Sequence, residues 1–178
     1  MPPWPSKGQG PTWGWGECRS RCRGRSALGW AWARAGPASL AGLEPVPPWL
    51  YGLGDTDLLD YPAIAIVGSR NPSPAGLEAA REFGSALASA GLVVVSGLAR
   101  GIDAAAHEGA LAADGMTIAV CGTGLDRVYP AMHKNLAERI AASGLLLSEF
   151  ALGTQPTRGN FPRRNRIIAG LCTATLVV

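Results

Sequence analysis

From residue 63 onward the chain repeats one pattern, in which a short apolar run is followed by a longer stretch with helical periodicity. The apolar runs are Ala63–Val67, Leu92–Val95, Thr117–Val120, Leu145–Leu147 and Ala174–Val178. They are nearly continuous in apolar residues, which is typical of strands buried on both faces of a parallel sheet. Right-handed crossovers between such strands predict a Rossmann-like α/β domain: a doubly wound, mainly parallel sheet with helices on both faces.

The four stretches between these runs predict amphipathic helices over residues 75–90, 102–113, 132–142 and 163–171. In the first helix, one apolar stripe is formed by Leu77, Ala80, Phe83, Leu87 and Ala90. Gly84 lies inside that stripe, where it either weakens the helix slightly or lets another element approach closely. In the third helix, Met132, Leu136 and Ile140 share one face.

The first 46 residues differ from the rest of the chain. They are rich in Pro, Gly, Trp and Arg, and residues 1–34 carry six basic residues against one acid. We expect residues 1–46 to form a flexible or disordered arm and residues 47–178 to form the Rossmann-like domain. An alternative is that the interleaved Arg and Trp side chains stack on nucleic acid. Cys18 and Cys22 lack a second Cys or His pair, so we expect no metal site.

One basic cluster stands out in the remainder of the chain. Residues 35–178 carry ten basic and twelve acidic residues, so any charge for binding nucleic acid must be local. Four arginines fall within nine residues with no acid among them: Arg158, Arg163, Arg164 and Arg166. Arginine matches phosphate oxygens, while Phe161 offers a stacking face and Asn165 a polar contact. The alternative is a solvated helix start whose arginines pair with nearby carboxylates.

The carboxyl end of each predicted strand leads into a turn that contains glycine or serine. These turns are Gly68-Ser69-Arg70, Ser96-Gly97-Leu98-Ala99-Arg100-Gly101, Gly122-Thr123-Gly124 and Ser148-Glu149. Such ends are where open parallel sheets bind ligands, and helix N-termini beyond them favour anions. Arg70 and Arg100 add positive charge, so the pattern predicts a phosphate site at this edge. Lys134 either extends that basic surface or is an ordinary solvated lysine, and Glu149 either holds an arginine or meets a sugar hydroxyl.

No motif for a nucleotide cofactor or a catalytic step is found. The first turn lacks G-x-G-x-x-G and there is no Walker motif, so we expect no NAD, FAD, ATP or other cofactor. Asp103 and His107 lie four residues apart on the second helix, and are either an acid–base pair or part of local hydrogen bonding that steadies its first turn. No Ser/His/Asp set or paired carboxylates can be assembled, so we predict no catalytic residue.

The remaining observations concern compartment. Cys121 and Cys172 lie beside or inside apolar runs and are predicted to be buried free thiols. No apolar run reaches the length of a membrane span, and the N-terminus lacks the apolar core of a signal peptide. The sequence therefore predicts a cytoplasmic protein with no membrane partner.

Taken in order, these residues resemble the DNA-processing protein A family (DprA, also called Smf). The matching runs are Ala65–Arg70, Val94–Asp103 with Ala106-His107, Thr117–Val120, Gly122–Asp126 with Tyr129-Pro130, Ser148-Glu149, Phe161–Leu171 and Leu176–Val178. The resemblance covers about residues 48–178. The family sheet continues past the position of Val178, so we expect this chain to be a member that is incomplete at its C-terminus.

The resemblance implies a domain that binds single-stranded DNA without a known catalytic step. It further implies a role in natural transformation, help in loading the RecA recombinase, and commonly a dimer. On the matching positions, Arg70 would hold a phosphate, Arg163, Asn165 and Arg166 would line the strand's path, and Phe161 would lie near a base. Together with the turn residues, the predicted DNA-binding set is Gly68, Ser69, Arg70, Gly97, Arg100, Lys134, Phe161, Arg163, Asn165 and Arg166.

A second class of function stays open on the sequence alone. Phosphoribohydrolase-like enzymes are similar in predicted architecture and in their phosphate-binding turns. They carry a Pro-Gly-Gly-x-Gly-Thr-x-x-Glu run that is missing here. Turnover of a nucleoside monophosphate would favour the enzyme, and oligonucleotide binding without turnover would favour the DNA-binding module.

Overall fold

The computed structural model describes residues 28–31, 38–47 and 49–178. The strands are β1 (Leu28–Ala31), β2 (Trp49–Gly54), β3 (Ala63–Val67), β4 (Val93–Ser96), β5 (Thr117–Val120), β6 (Leu145–Ser148) and β7 (Ala174–Val177). The helices are α1 (Pro74–Ser89), α2 (Ile102–Ala112), α3 (Lys134–Ser143) and α4 (Asn160–Leu171). Short 3-10 helices lie at Ala38–Leu40, Thr56–Asp60 and Ala131–His133.

The strands form one sheet in the order β1-β2-β6-β5-β4-β3-β7. Strands β3 to β7 pair in parallel with one another, whereas β2 pairs antiparallel with β6 and β1 pairs antiparallel with β2. The chain moves outward from β3 through β4 and β5 to β6, then returns through α4 to place β7 on the other side of β3. This reversal confirms the predicted doubly wound, mainly parallel α/β fold.

Strands β4, β5 and β6 are buried on both faces of the sheet, as their apolar residues predict, whereas the edge strand β7 is mostly exposed, contrary to the prediction. Val93 and Val95 of β4 pack in the same cluster as Ile167 and Ile168 of α4. Val94 between them packs on the opposite face, with α1 and α2. Alternate residues of one strand therefore serve two cores, which is why these strands show no polar alternation.

Helices α1 and α2 cross closely because each presents a glycine to the backbone of the other. A Cβ on Gly84 would overlap the carbonyl of Ala106, and one on Gly109 would overlap the carbonyl of Arg81. The close-approach interpretation of Gly84 is therefore confirmed. The buried positions of α1 are Ala80, Gly84 and Ala88.

Three apolar residues that were predicted to face the core are exposed: Phe83, Met132 and Ala90, the last of which directly follows α1. Phe83 is 45% exposed because the contact face of α1 runs through its small residues instead. Met132 is 70% exposed because it lies in the 3-10 helix that precedes α3, whereas Leu136 and Ile140 of α3 are buried as predicted.

The N-terminal boundary of the folded part lies earlier than the predicted residue 47. Leu40 is fully buried in the cluster that packs on α4, and a Cβ on Gly170 of α4 would lie 2.9 Å from Leu43. Strand β1 adds to the sheet edge beside β2. Residues 1–27 and 32–37 lie outside the described residues, as do Cys18 and Cys22, so the flexible arm stays a prediction for those segments.

Both described cysteines are free. Cys121 is buried, as predicted, and burial raises the pKa of its thiol to about 11. Cys172 is half-buried rather than buried, and burial raises its pKa to about 12. Within the part of the chain that the structure describes, no helix is both long enough and apolar enough to cross a membrane.

Candidate nucleic-acid interface

The turns that follow β3, β4, β5 and β6 meet at one end of the sheet, which we call the carboxyl edge. The Ile102 amide donates a hydrogen bond to the Ser69 carbonyl at 3.2 Å, which joins the first two turns. The side-chain amide of Asn160 donates to the carbonyl of Gly122 at 2.9 Å, which ties α4 to the third turn. His133 lies 2.9 Å, through Nδ1, from the carbonyl of Leu98. The edge is therefore one connected surface, as the parallel topology predicts.

A cleft of about 290 Å³ opens at this edge beside the ends of β3 and β7. We call it the edge cleft; its lining includes Gly68 and the polar side chains of Arg70, Asp103, Arg164, Asn165 and Thr175. Because the strand order reverses between β3 and β7, the edge cleft lies at the topological switch point, where ligands of open α/β sheets bind. Three predicted site residues, Gly68, Arg70 and Asn165, are brought together here.

Arg164 is the buried centre of the carboxyl edge, with 3% of its surface exposed. Its guanidinium donates to the carbonyls of Gly97 and Val120, and through Nε to Asn165 Oδ1 at 3.0 Å. Asp103 lies 3.8 Å from it as a counter-ion. Burial lowers the pKa of Arg164 and the nearby Asp103 carboxylate opposes that shift; burial likewise raises the pKa of Asp103 and Arg164 opposes it. Helix α4 is thereby pinned over the ends of β4 and β5.

The sequence carries a signal for the burial of Arg164 that the prediction did not use. Arg164 precedes Ile167, Ile168 and Leu171 by three, four and seven residues. This is the spacing of a single helical face, and the three apolar residues are all buried. Arg164 therefore belongs to the core-facing stripe of α4 rather than to its solvated side.

The glycines of the first two turns serve internal packing. A Cβ on Gly97 would overlap the Arg164 guanidinium, and a Cβ on Gly68 would overlap the carbonyl of Val178. Protein atoms therefore fill the space where a side chain at either position would lie. Ser69 accepts a hydrogen bond from the Asn71 amide at 3.1 Å, which stabilises the turn. DNA contacts at Gly68, Ser69 and Gly97 stay a prediction.

Arg163 and Arg166 both form ion pairs with Glu149, whose side chain is 1% exposed. This confirms that Glu149 holds arginine in place. Arg166 is 19% exposed and also donates to the carbonyl of Pro45 at 2.6 Å, so it anchors α4 to residues 38–47. Arg163 remains 56% exposed and lies over the Phe150 ring at 5.5 Å. Of the two, Arg163 is the better placed to meet a ligand in solvent.

Three further basic residues of the carboxyl edge are exposed: Arg70, Arg100 and Lys134. Within the described residues none of them forms an ion pair. Arg70 lies over the ring of Phe161, with 5.4 Å from Cζ to the ring centroid. Uncompensated cations beside an aromatic ring can bind phosphates and a base together.

Phe161 is half-buried at the carboxyl edge and has a neighbour that the prediction missed. Its ring packs on Gly122, where a Cβ would lie 2.9 Å from Cδ1. The ring of Tyr129 lies 5.4 Å away between centroids, tilted by 37°. Tyr129 is 49% exposed. Tyr129-Pro130 is among the runs that resemble the family, but this resemblance did not assign Tyr129 to the site, because its position beside Phe161 depends on the path of the chain between β5 and α3.

Asp103 and His107 do not form an acid–base pair. Asp103 accepts from the Ala99 amide at 3.3 Å, in the turn before α2, which agrees with the local hydrogen-bonding alternative. His107 is fully buried and its Nδ1 lies 2.7 Å from Thr117 Oγ1. Burial, with smaller effects of Arg164 and His133, lowers the pKa of His107 to about 3, so the imidazole is neutral in the fold.

Comparison with known proteins assigns this fold to a protein family. The model of the family described as DNA recombination-mediator protein A matches residues 30–178, and the chain belongs to that family. Protein Smf of Synechocystis sp. is 49% identical over 146 residues, which cover 80% of this chain and 37% of the relative. DNA processing protein DprA of Streptococcus pneumoniae is 47% identical over 141 residues, which cover 79% of this chain and 50% of the relative.

Solved structures give the same result. The crystal structure of S. pneumoniae DprA superposes with a TM-score of 0.79 at 44% identity, over 84% of this chain and 53% of that one. The structure that describes the single-stranded DNA binding mode of the Helicobacter pylori protein has a TM-score of 0.76 at 36% identity, over 82% and 66%. The present chain spans about a third to a half of the length of curated relatives such as these Smf and DprA proteins.

Proposed function

We propose that this chain binds single-stranded DNA along its carboxyl edge with little preference for base sequence. The observation that carries the proposal is that Arg70, which is exposed and forms no ion pair with the described residues, lies at the edge cleft and over the Phe161 ring. Arginine and lysine neutralise phosphates, whereas an aromatic ring accepts any base face. The H. pylori relative is described as binding single-stranded DNA, which supports the same ligand here.

The proposal extends to the cellular role. We propose that the chain acts in the cytoplasm on DNA taken up during natural transformation, and that it helps to load RecA onto that DNA. The family description as a recombination mediator supports this role. The loading step is tested by the rate of ATP hydrolysis by RecA on oligonucleotides coated with a single-stranded DNA-binding protein, measured with and without this chain. Sedimentation of the chain with and without oligonucleotide tests the proposed homodimer.

The proposed role is binding rather than catalysis. His107 is buried and bonded to Thr117, so the pair with Asp103 does not offer an acid–base couple at the edge cleft. No observation on the described residues favours the phosphoribohydrolase alternative over DNA binding. Incubation with nucleoside monophosphates gives a direct check, since release of free base would support the enzyme.

The first test is a fluorescence-anisotropy titration of labelled oligo-dT across a salt series, beside a labelled duplex. We expect tight binding that prefers the single strand and weakens as salt rises, because phosphate contacts release counterions. Arg70→Ala should weaken binding about tenfold or more, since it removes charge-assisted hydrogen bonds to a phosphate. It should also reduce the slope of log affinity against log salt by about 0.7.

Arg81→Ala is the matched control for this experiment. Arg81 is an exposed arginine of α1 that pairs with Glu78 and Glu108, away from the carboxyl edge. The Arg81→Ala substitution removes the same formal charge as Arg70→Ala, and it should leave both the affinity for oligo-dT and the salt slope nearly unchanged. Equal losses in the two variants would mean that only overall charge matters, and an unaltered Arg70→Ala would remove the edge as the binding site.

A further inference from the structure

We propose that Tyr129 is the residue on which a base of the single strand stacks, with Phe161 as the support behind it. This inference rests on the proposed DNA-binding function and adds to it a base-contacting residue on a different segment of the chain. The two rings form one tilted aromatic pair at the carboxyl edge, with centroids 5.4 Å apart.

The two rings differ in how much of their surface a ligand can reach. Phe161 is only half-buried, but its ring is covered by Gly122 on one side and is in contact with Arg70 and Tyr129 elsewhere. Tyr129 is 49% exposed, so a large part of its ring lies in solvent. A base that approaches the edge therefore meets the face of Tyr129 more readily than that of Phe161.

The ring of Tyr129 is not part of a hydrophobic core. The clusters of buried residues use Leu125 and Val128 of the same segment, but not Tyr129. Met132, three residues further on, is also exposed at 70%. The segment therefore turns its aliphatic side chains inward and presents Tyr129 and Met132 outward.

The charges around Tyr129 favour a polyanion. Arg70 lies across Phe161 on one side, and Lys134 begins α3 five residues after Tyr129. The acid in this segment, Asp126, is occupied: it accepts from the Gly153 amide at 2.8 Å and pairs with Arg127 at 3.8 Å. An exposed ring that pairs with Phe161, on which Arg70 lies, is suited to bind a single strand through stacking and phosphate contacts together.

Stacking and phosphate contact leave different signatures in a salt series. Tyr129→Ala should weaken oligo-dT binding about five- to a hundredfold while the salt slope stays unchanged, because no charge is lost. Tyr129→Phe should bind within about threefold of the wild type, since it keeps the ring. Tyr129→Leu should lose as much as Tyr129→Ala if aromaticity, rather than apolar bulk, is what binds.

Phe83→Ala is the matched control, because Phe83 is 45% exposed on α1 and should bind like the wild type. A second measurement uses oligo-dT with 5-iododeoxyuridine at single positions, followed by irradiation and peptide mass spectrometry. The wild type should cross-link through the peptide that contains Tyr129. All variants should first be shown to unfold at the wild-type temperature, so that lost binding is not lost folding.

The outcomes separate this inference from the function on which it rests. If the folded wild type fails to bind oligo-dT, the proposed function is wrong. If the wild type binds, Arg70→Ala is weakened, and Tyr129→Ala binds normally without a cross-link at Tyr129, only the stacking inference is overturned. A loss in Tyr129→Phe equal to that in Tyr129→Ala would assign the effect to the hydroxyl and also overturn it.

Discussion

Three arginines that are nearly adjacent in sequence have three different environments. Arg163 is exposed, Arg164 is buried and Arg166 is largely buried beside Glu149. Successive helical residues point about 100° apart, so a basic run on a helix cannot place all its charges on one side. The desolvation cost of Arg164 is offset by carbonyls of Gly97 and Val120 and by its neighbouring carboxylate. The buried Arg164, hydrogen-bonded through Nε and Nη1, fixes the orientation of α4 and therefore the positions of Arg163 and Arg166.

Gly97→Ala tests this arrangement at the scale of one methyl group. The new Cβ would overlap the Arg164 guanidinium and force it away from two carbonyls and Asp103. We expect a loss of about 3 kcal/mol in the free energy of unfolding, measured by urea denaturation. Gly159→Ala is the control, because a Cβ there meets nothing within 4 Å. Equal stability of the two variants would contradict the role assigned to Gly97.

At the scale of helices and strands, the sequence predicts the parallel part of the fold well. Apolar runs identified β4, β5 and β6 because strands covered on both faces leave no room for polar alternation, and the edge strand β7 was found by its apolar run although it is mostly exposed. The antiparallel pairing of β2 with β6 could not be predicted, since pairing direction depends on how the chain returns and not on the strand's own residues. The stripe of α1 was misplaced at Phe83, because small residues rather than large ones make its contact with α2.

The candidate site likewise has features that follow from local sequence and features that depend on contacts between distant residues. The turns that carry Arg70 and Arg100 could be placed at one edge, because carboxyl ends of parallel strands coincide. The internal role of Gly97 and the pairing of Tyr129 with Phe161 could not, since each contact joins residues far apart in sequence. Sequence reasoning therefore predicted which turns lie together at the carboxyl edge but not which side chains are left exposed there.

Gly84→Ala tests the crossing of α1 and α2. A Cβ at Gly84 would overlap the backbone carbonyl of Ala106, which cannot rotate away, so the helices must separate. We expect a loss of about 2–3 kcal/mol in urea denaturation despite the better helix propensity of alanine.

Gly76→Ala in the same helix is the matched control for that experiment. The nearest atom to a Cβ at Gly76, in Pro72, lies at 3.5 Å, which is ordinary contact. Alanine there should be neutral or stabilising by about 0.5–1 kcal/mol. If both substitutions stabilise the protein, the helices adjust freely and the crossing is not set by Gly84.

At the scale of the whole molecule, the buried imidazole of His107 makes the stability of the fold depend on pH. Thr117 donates its only hydroxyl proton to the Val94 carbonyl at 2.7 Å. It can therefore only accept from His107, which fixes the proton of the neutral imidazole on Nδ1. The other ring nitrogen has no hydrogen-bond partner among the described residues and is completely buried. Protonation would place an uncompensated charge in the interior.

His107 should therefore make the fold less stable in mild acid. Its pKa falls from 6.5 to about 3 on folding, so between these values the unfolded chain binds a proton that the folded chain does not. Stability must decrease as pH falls through this range, by about 2 kcal/mol at pH 5 relative to pH 8.

His107→Asn tests this pH dependence, because it keeps an amide donor at the position of Nδ1 but does not titrate. Urea denaturation of both proteins at pH 8 and pH 5 measures the difference, and each is compared with itself, so that any constant cost of the substitution cancels. The variant should lose about 2 kcal/mol less than the wild type between the two pH values. The same pH dependence in both proteins would show that His107 is not held neutral in the core.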